Sequence, residues 1–599
     1  MNPQPKPRTL VDIFYQIADR NQSRVMLFER DSQWQAISSS DFYRRVVGVA
    51  RELRRHGIAH SDRVAILAEN RPEWTIADFA ILLSGAVTVP IYATLTASQT
   101  SFLLRHSGAK TAFVSTEAQL AKLRAIQPQT AVENIVLMDE PSPDTDALSM
   151  AALMDAGPNQ RVPEFDTRAN SITPDDLATI IYTSGTTGVP KGAMLTHGNI
   201  ASNLSVSLDA FELGLPGDLA VSFLPLSHIT ARHVDFAELY RGVTIAYCPL
   251  IDDMPRVLRE LHPTFFVAVP RVYEKIYNKV QRDVATGIKK WIYNWAISVG
   301  RAHVDEELSG HTPGSPAWKL ANYLVFSKVM EAMGGSIRTF ISGGAPLGKE
   351  LAEWYAEIGI VIHEGYGLTE TSPVIAVNTP AARKLGTVGR PLPNVELRIA
   401  HDGELLIRGP SVFHGYWNMP AETAAAFEGD WFKTGDIAQL DADGFLSITD
   451  RKKDLIKTSG GKFIAPQPIE NSLKSSSFIA EAAVVGDRRR FAAVILIPAF
   501  AALEEWALQN EIAFQSREEL IANPQVQSLY QGIVEQINQN HAQFEQLKKF
   551  LLVSEELSIE DGTLTPTLKL RRRNLEERYK DQIEELYASS VPADTARTS

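Results

Sequence analysis

The chain has 599 residues, which is too long for one ordinary hydrophobic core and predicts at least two domains. Its 44% hydrophobic and 22% charged residues indicate a globular protein, and its formal net charge of −12 argues against general nucleic-acid binding. A single cysteine excludes a disulfide framework and any multi-cysteine metal site. Because we find neither a signal-peptide core nor an apolar run long enough to cross a membrane, we expect a cytoplasmic protein.

Helical and strand patterns alternate over about residues 10–170. Residues 42–56 have the periodicity of an amphipathic helix, whereas the apolar runs 63–67 and 111–115 indicate strands. This alternation predicts a layered α/β domain with mostly parallel sheets. Residues 139–176 are richer in Pro, Asp and Ser and indicate a surface connection.

A loop rich in glycine and hydroxyl residues follows the apolar run 177–181. Glycine amides and hydroxyl groups can surround a phosphate, and a lysine can neutralise it. The candidate phosphate ligands are Thr183, Ser184, Gly185, Thr186, Thr187, Gly188 and Lys191.

This loop differs from the P-loop of nucleotide hydrolases, in which the lysine follows the last glycine directly and a helix begins beyond it. Here Pro190 precedes Lys191 and Gly192 follows it. Residues 193–197 predict a second strand, so we expect the loop to join two strands and to lie over its ligand. The alternative is a hairpin that binds nothing.

The next segments carry a histidine and an aromatic stretch. Residues 221–228 combine an apolar strand with a terminal histidine, His228, and a lone histidine in this position is usually a hydrogen-bonded structural residue. Residues 263–270 predict a buried strand followed by a helix. The long segment after it contains lysines and tryptophans at 289–295, and these could lie at a membrane surface or simply form a core face.

Two small-residue turns suggest a site for a nucleotide base. Gly343, Gly344 and Ala345 follow a strand, and their missing or small side chains allow a flat group to approach the backbone. The second turn places an aromatic residue between two glycines, as Gly365, Tyr366 and Gly367. Tyr366 is therefore suited to stack on adenine.

A hydroxyl and a carboxylate lie three and four residues after this tyrosine, as Thr369 and Glu370. Thr369 is suited to donate to an α-phosphate, and Glu370 is a candidate ligand for magnesium (Mg²⁺), which prefers oxygen. Further along, Asp436 can accept from both hydroxyls of a ribose, although an Asp in a Gly-Asp turn is often only structural. Residues 449–457 form a charge run that is usually a solvated loop.

These motifs, in this order, resemble those of the acyl-adenylate-forming ligases, which include acyl-CoA synthetases, luciferases and peptide-synthetase adenylation domains. The likeness spans about residues 10–585. It implies a large N-terminal domain over 1–449, a hinge at 450–453, and a small mobile α+β domain over 454–599.

The resemblance also implies roles for single residues. Arg451 matches the residue that contacts ribose or phosphate, Lys453 falls at the hinge position, and Lys569 matches the lysine that serves adenylation. His228 ends a Leu-Pro-Leu-Ser-His segment that lies beside the acyl site in these ligases. The family often continues with an aromatic residue and Glu-Arg, whereas this chain has Ile-Thr-Ala-Arg at 229–232.

The length of the segment between residues 270 and 342 is similar to the long-chain branch of the acyl-CoA synthetases. The resemblance therefore implies activation of a long-chain fatty acid by ATP and Mg²⁺ to an acyl-adenylate, followed by transfer to coenzyme A. Lys569, Thr369 and Glu370 are the expected catalytic residues. The arginines at 488–490 and 571–573 offer a local positive surface for CoA.

Other functions share the same motifs. An acyl carrier protein could replace CoA, an aryl acid could replace the fatty acid, and a luciferase-like oxygenase or a non-catalytic AMP-binding scaffold would keep the nucleotide site. A metal hydrolase is disfavoured, because the 13 histidines show no ligand-spaced pair beside a carboxylate. We expect no nucleic-acid partner, and peripheral contact with the inner face of the membrane fits the aromatic stretch.

Overall fold

A computed structural model of the chain describes residues 6–142, 145–183, 189–284, 286–459, 462–558, 561–565 and 570–588. Two predicted parts of the site, the loop residues 184–188 and Lys569, lie outside this described part of the chain.

A seven-stranded sheet forms the first layer of the large N-terminal part. Its strands are parallel except for the last pair, which is antiparallel. In spatial order the strands are Leu148–Ser149, Asn134–Leu137, Thr111–Val114, Arg63–Leu67, Val87–Ile91, Leu177–Thr183 and Lys191–Thr196.

A nine-stranded sheet forms a second layer. The inner strands run parallel and the pairs at both edges are antiparallel. In spatial order the strands are Arg390–Pro391, Val374–Val377, Ile362–Gly367, Thr339–Ser342, Phe265–Ala268, Leu219–Ser222, Thr244–Tyr247, Met26–Arg30 and Gln33–Ile37. The predicted α/β fold with mostly parallel sheets is confirmed.

Helices cover and separate these sheets. The helix Pro72–Leu83 contacts Arg63–Leu67 and Val87–Ile91 of one sheet and Met26–Arg30 of the other. Nearly every residue of this helix is buried, and it has no polar face because sheets lie on both sides of it. The other α-helices of the N-terminal part are Leu10–Asp19, Ser39–Arg55, Ala97–Ser107, Glu117–Ile126, Met150–Asp155, Pro163–Ser171, His197–Ser207, Ile229–Arg241, Met254–Leu261, Pro270–Asp283, Gly287–Arg301, Val304–Leu308, Pro316–Ala321, Ser327–Ala332, Lys349–Glu357 and Pro420–Ala426.

An antiparallel sheet follows the parallel layers in the chain. Its strands are Glu396–Ile399, Glu404–Arg408, Phe427–Glu428, Trp431–Leu440 and Leu446–Arg451. Trp431–Leu440 pairs with Leu446–Arg451, so the proposed hinge at 450–453 begins within the last strand of this sheet.

The C-terminal part has a small sheet and its own hydrophobic core. The short hairpin Ile456–Lys457 and Phe463–Ile464 precedes the strands Ile479–Val485, Ala492–Pro498 and Leu547–Leu552. The helices are Pro466–Lys474, Phe500–Gln509, Arg517–Ala522, Pro524–Asn538, Arg572–Arg578 and Lys580–Ala588. In the described ranges, no helix is long and apolar enough to cross a membrane.

A buried ion pair joins two helices of the large part. Arg232, in Ile229–Arg241, donates from Nε to Oδ2 of Asp78, in Pro72–Leu83, at 2.7 Å. Both side chains are only 1% exposed, and Thr88 Oγ1 also donates to Asp78 Oδ1 at 2.7 Å. Removing one partner of such a pair leaves an uncompensated charge in the interior.

We therefore expect Asp78→Ala to lower the free energy of unfolding by about 3–5 kcal/mol. Urea denaturation of the purified protein measures this change. Asp78→Ala combined with Arg232→Met should recover most of the loss, because no charge is then stranded. As a control, Asp209→Ala removes the exposed pair with Arg241 and should cost less than about 1 kcal/mol. Equal losses for Asp78→Ala and Asp209→Ala would contradict this account.

Candidate functional site

The loop predicted to bind phosphate begins and ends in paired strands. Leu177–Thr183 and Lys191–Thr196 are antiparallel neighbours, with Thr183 opposite Lys191 and Tyr182 opposite Gly192. The sequence predicted a strand rather than a helix after the loop. The pairing confirms that the loop joins two strands. Thr183 and Lys191 therefore face each other at the base of the loop.

The two turns predicted to accept a base lie side by side. Thr339–Ser342 runs parallel to Ile362–Gly367, and Gly343 and Gly365 follow in neighbouring positions. A Cβ atom added at Gly343 would come within 3.7 Å of the Gly365 carbonyl oxygen. At Gly367 an added Cβ would lie only 1.8 Å from the Pro373 carbonyl oxygen, so only glycine fits there.

Gly344 and Ala345 continue the first turn. Gly344 has φ +83°, which favours glycine, and an added Cβ would meet only the Val269 side chain at 3.7 Å. The backbone here is thus open enough for a flat ligand to approach.

Tyr366, Asp436 and Arg451 form one hydrogen-bonded group. The antiparallel register of Trp431–Leu440 and Leu446–Arg451 puts Asp436 opposite Arg451, and Arg451 Nε lies 2.8 Å from Asp436 Oδ1. The Tyr366 hydroxyl donates to the other carboxylate oxygen, Asp436 Oδ2. The candidate adenine, ribose and hinge-side residues therefore meet at one carboxylate.

Burial controls the charges of this group. Asp436 is 2% exposed. Burial, and then the nearby Asp436 carboxylate, raises the pKa of Tyr366 well above its ordinary value, so the phenol stays neutral. Burial opposes the charge of Arg451, but nearby acidic groups, the Asp436 carboxylate first among them, together hold the pKa of Arg451 above its usual value.

Glu370 lies in a short turn, Thr369–Thr371, that follows the tyrosine strand. Its Oε1 accepts a hydrogen bond from the Tyr416 hydroxyl at 2.9 Å, and the Lys191 ammonium lies 5.2 Å from the centre of the Tyr416 ring. Tyr416 thus connects the base of the phosphate loop with the candidate metal ligand. Tyr416 lies outside every motif predicted from the sequence, and only the tertiary structure brings it to Glu370.

His228 caps a helix. Its Nδ1 accepts from the Thr230 backbone N–H at 3.2 Å at the start of Ile229–Arg241, whereas the preceding strand already ends at Ser222. The predicted position of His228 at the strand end is therefore wrong, and its role in substrate binding stays a prediction.

Comparison with known proteins decides the family. The family model described as AMP-binding enzyme matches residues 14–417, and the AMP-binding enzyme C-terminal domain matches residues 453–591. The chain belongs to the AMP-binding enzyme family.

Curated relatives in this family align over most of the chain. Long-chain-fatty-acid–CoA ligase FadD15 of Mycobacterium tuberculosis is 36% identical over 583 residues, covering 95% of each chain. Long-chain-fatty-acid–CoA ligase 6 of Mus musculus is 31% identical over 94% of this chain and 84% of its own length.

Solved structures agree on the fold. The anthranilate CoA ligase AuaEII in complex with anthranoyl-AMP is 20% identical, covers 97% of this chain and 99% of its own, and has a TM-score of 0.74. ATP-bound MatB from Rhodopseudomonas palustris is 23% identical, covers 96% and 99%, and has a TM-score of 0.71. At these identities the likeness concerns the fold alone.

In this AMP-binding enzyme, Glu370 fits the Mg²⁺ that accompanies a nucleotide. The described ranges contain no cluster of three or more metal-ligating side chains, so they form no all-protein cage. Mg²⁺ in nucleotide sites is typically held by one or two carboxylates together with substrate phosphates and water. A carboxylate held in place by Tyr416 suits that arrangement.

The C-terminal part of the enzyme also contacts the N-terminal part through residues outside the proposed hinge. Arg271 Nη1 donates to the Ala480 carbonyl oxygen at 2.6 Å, and Lys474 Nζ lies 3.6 Å from Glu274 Oε1. Lys453 is exposed in the connecting turn.

Three of the arginines suggested for CoA binding already have acidic partners. Arg488 Nε lies 3.6 Å from Asp487 Oδ2, Arg489 pairs with Glu584, and Arg572 Nη1 lies 2.6 Å from Glu470 Oε1. The positive surface suggested by the sequence is therefore smaller than the residue count implied.

Glu364 is a buried carboxyl group directly before the Gly-Tyr-Gly turn. Its Oε2 accepts from the Leu347 backbone N–H at 3.3 Å, which joins this strand to the turn that holds Gly343–Ala345. Burial raises the pKa of Glu364 from its ordinary value near 4.5 to about 7.

This raised pKa makes stability depend on pH. Between pH 4.5 and 7 the folded protein binds a proton at Glu364 that the unfolded chain releases, so stability falls as pH rises. We expect the wild type, compared with Glu364→Gln, to lose on the order of 2 kcal/mol of unfolding free energy between pH 5 and pH 8. Urea denaturation at both pH values measures the difference. Identical pH slopes would show that Glu364 is ionised in the folded state.

Proposed function

We propose that this chain is an AMP-forming long-chain fatty acid:coenzyme A ligase. It activates the acid with ATP, releases pyrophosphate, and passes the acyl group to CoA. The observation that carries the proposal is the meeting of Tyr366, Asp436 and Arg451 at one buried carboxylate, which suits an adenosine, in a chain whose full-length relatives are named long-chain ligases.

The chemistry explains why a nucleotide is needed. A carboxylate does not react with a thiol because its oxygen is a very poor leaving group. In the first step a carboxylate oxygen of the fatty acid forms a bond to the α-phosphorus of ATP, and the bond from that phosphorus to the β-phosphate oxygen breaks. The product is a mixed anhydride, the acyl-adenylate, together with pyrophosphate.

Nucleotidyl transfer depends on positioning and charge neutralisation more than on protein nucleophiles. Lys191 and the 183–188 loop hold the departing pyrophosphate, Thr369 orients the α-phosphate, and Lys569 stabilises the added negative charge. Glu370 would hold the Mg²⁺ that accompanies ATP, and the ion would supply further neutralisation of the phosphate charge. Tyr366 stacks on adenine, and Asp436 accepts from the ribose hydroxyls.

The second step needs a different arrangement. The CoA thiol attacks the acyl carbon, its proton is released, and AMP leaves with the electron pair of the anhydride bond. We assign residues 1–449 to the large domain, 450–453 to the hinge and 454–599 to the small domain. Rotation about Lys453 would carry Lys569 away and admit the pantetheine arm of CoA.

Acid-dependent exchange between ATP and pyrophosphate tests the first step. We expect exchange without CoA to be greatest with long-chain fatty acids and low with acetate and aryl acids, because each buried methylene contributes roughly 0.8 kcal/mol. CoA should then yield acyl-CoA and AMP. Transfer to an acyl carrier protein instead of CoA would contradict the proposed acceptor, and a maximum with aryl acids would contradict the proposed substrate. No exchange with any acid would favour a non-catalytic scaffold.

The two half-reactions should separate by mutation. We expect Lys569→Ala to reduce the rate of adenylation at least a hundredfold, because removing a single charge-stabilising group typically lowers a rate by about 10²–10³. A preformed acyl-adenylate should still be converted to acyl-CoA, because the lysine acts only in the first step. Lys453→Pro should impair thioester formation more than adenylation. Single-turnover assays of each step provide the measurement, and equal losses in both steps for both variants would contradict domain rotation.

We further assign the helix Gly287–Arg301 to contact with an anionic membrane surface. Ile288 and Trp291 are 78% and 71% exposed at positions three residues apart, which share a helix face. Lys289 and Lys290 are exposed beside them. Apolar and aromatic side chains next to lysines are typical of segments that bind the membrane interface.

We expect Ile288→Glu combined with Trp291→Glu to reduce binding to phosphatidylglycerol vesicles severalfold, since both apolar contacts are lost and negative charge is added. Vesicle sedimentation measures the bound fraction. Leu508→Glu alters a comparably exposed apolar residue of the small part and serves as the control. Unchanged sedimentation of the double variant would exclude this helix as the contact.

A further inference from the structure

The segment that carries Tyr416 is attached to the outgoing strand of the phosphate loop. The Met194 N–H donates to the Gly415 carbonyl oxygen at 3.0 Å, and the Trp417 N–H donates to the Gly192 carbonyl oxygen at 2.8 Å. Tyr416 itself lies opposite Ala193 in an antiparallel bridge. The backbone of Tyr416 is thus fixed relative to the strand that begins at Lys191.

A second set of contacts fixes the other side of this segment. The Phe413 N–H donates to the Glu370 carbonyl oxygen at 2.8 Å, and the Tyr416 N–H donates to Thr423 Oγ1 at 2.9 Å. Glu370 is therefore held twice by the same segment, through its backbone by Phe413 and through its carboxylate by the Tyr416 hydroxyl. The position of the carboxylate follows that of Tyr416.

The Tyr416 side chain lies between a cation and an anion. Lys191 Nζ faces the ring, and Glu370 Oε1 accepts from the hydroxyl. The Tyr416 hydroxyl is the donor in this hydrogen bond, because a carboxylate oxygen can only accept. The ring of Tyr416 thus contacts the cation while its hydroxyl contacts the anion. If the ring were removed, the two opposite charges would attract each other with nothing between them.

From this geometry we propose that Tyr416 is a positioning residue for the metal–nucleotide complex. Its hydroxyl holds one oxygen of Glu370 so that the carboxylate faces the cation that accompanies ATP, and its ring keeps Lys191 available for phosphate. The inference rests on the proposed function, because it requires that ATP and Mg²⁺ bind at this site. Tyr416 acts through Glu370 and Lys191 and takes no part in bond making.

Tyr416→Phe tests the hydroxyl, because it keeps the ring and removes one hydrogen bond to a charged group. We expect the Kd for ATP in the presence of Mg²⁺ to rise about tenfold, as measured by titration calorimetry without fatty acid or CoA. The Kd for ATP in EDTA should change less than twofold. Tyr355→Phe is the control, since it removes a buried hydroxyl that donates to the Tyr273 carbonyl oxygen outside the candidate site.

A double-mutant cycle separates positioning from a general loss of structure. In a Glu370→Ala background, Tyr416→Phe should change the Kd for Mg²⁺–ATP less than twofold, because its target is gone. Equal weakening with and without Mg²⁺, or the same tenfold loss in the Glu370→Ala background, would overturn the inference.

Tyr416→Leu tests the ring. We expect it to weaken ATP binding in EDTA as well, because Lys191 can then pair with Glu370, and Tyr416→Leu with Glu370→Ala should restore part of that metal-free affinity. Normal metal-free binding by Tyr416→Leu would overturn the role of the ring. If the wild-type protein binds ATP neither with Mg²⁺ nor in EDTA, the proposed function itself is overturned. If the wild type binds ATP and Tyr416→Phe binds it equally well, only the positioning role of Tyr416 is overturned.

Discussion

The carboxylate of Asp436 is the point on which the candidate site depends. It is almost fully buried, and both of its oxygens have partners, the Tyr366 hydroxyl on one side and the Arg451 guanidinium on the other. A buried carboxylate is stable only when it is paired and hydrogen-bonded. This requirement ties the candidate base-binding turn, which holds Tyr366, to the last strand of the antiparallel sheet, where the proposed hinge begins.

The phosphate side of the site is built separately and in a different way. There the Tyr416 side chain contacts Lys191 through its ring and Glu370 through its hydroxyl. The candidate adenosine side thus has charges paired within the protein, whereas the candidate phosphate side has a cation and a carboxylate that contact the same tyrosine. This distribution of charge is consistent with the proposed binding of a nucleotide with its phosphates toward Lys191.

A buried polar network connects this site with the core. Arg232 pairs with Asp78, Thr88 donates to the same carboxylate, and the Thr179 hydroxyl donates to the Thr88 carbonyl oxygen at 2.7 Å. Thr179 lies in the strand that leads into the phosphate loop. Each of these buried groups needs its hydrogen-bond partner in the dry interior, where water cannot replace it. The network therefore fixes the helix Ile229–Arg241, which His228 caps, relative to the strand that contains Thr179.

The sequence by itself determined the classes of local structure and the order of the candidate ligand motifs. Strands such as Arg63–Leu67 and the two strands around the phosphate loop were predictable, because hydrophobic periodicity reports local structure. Tertiary structure alone decided that short helices form within residues 139–176, where Met150–Asp155 is stabilised by packing on Ser39–Arg55. It also decided where the strand before His228 ends.

The tertiary structure also decided which side chains that are distant in the sequence come into contact. Asp436 faces Arg451 because of strand register, and Tyr416 reaches Glu370 because a separate segment pairs with the strand at Lys191. Spacing along the chain carries no information on such contacts, since they depend on how whole sheets and segments pack together.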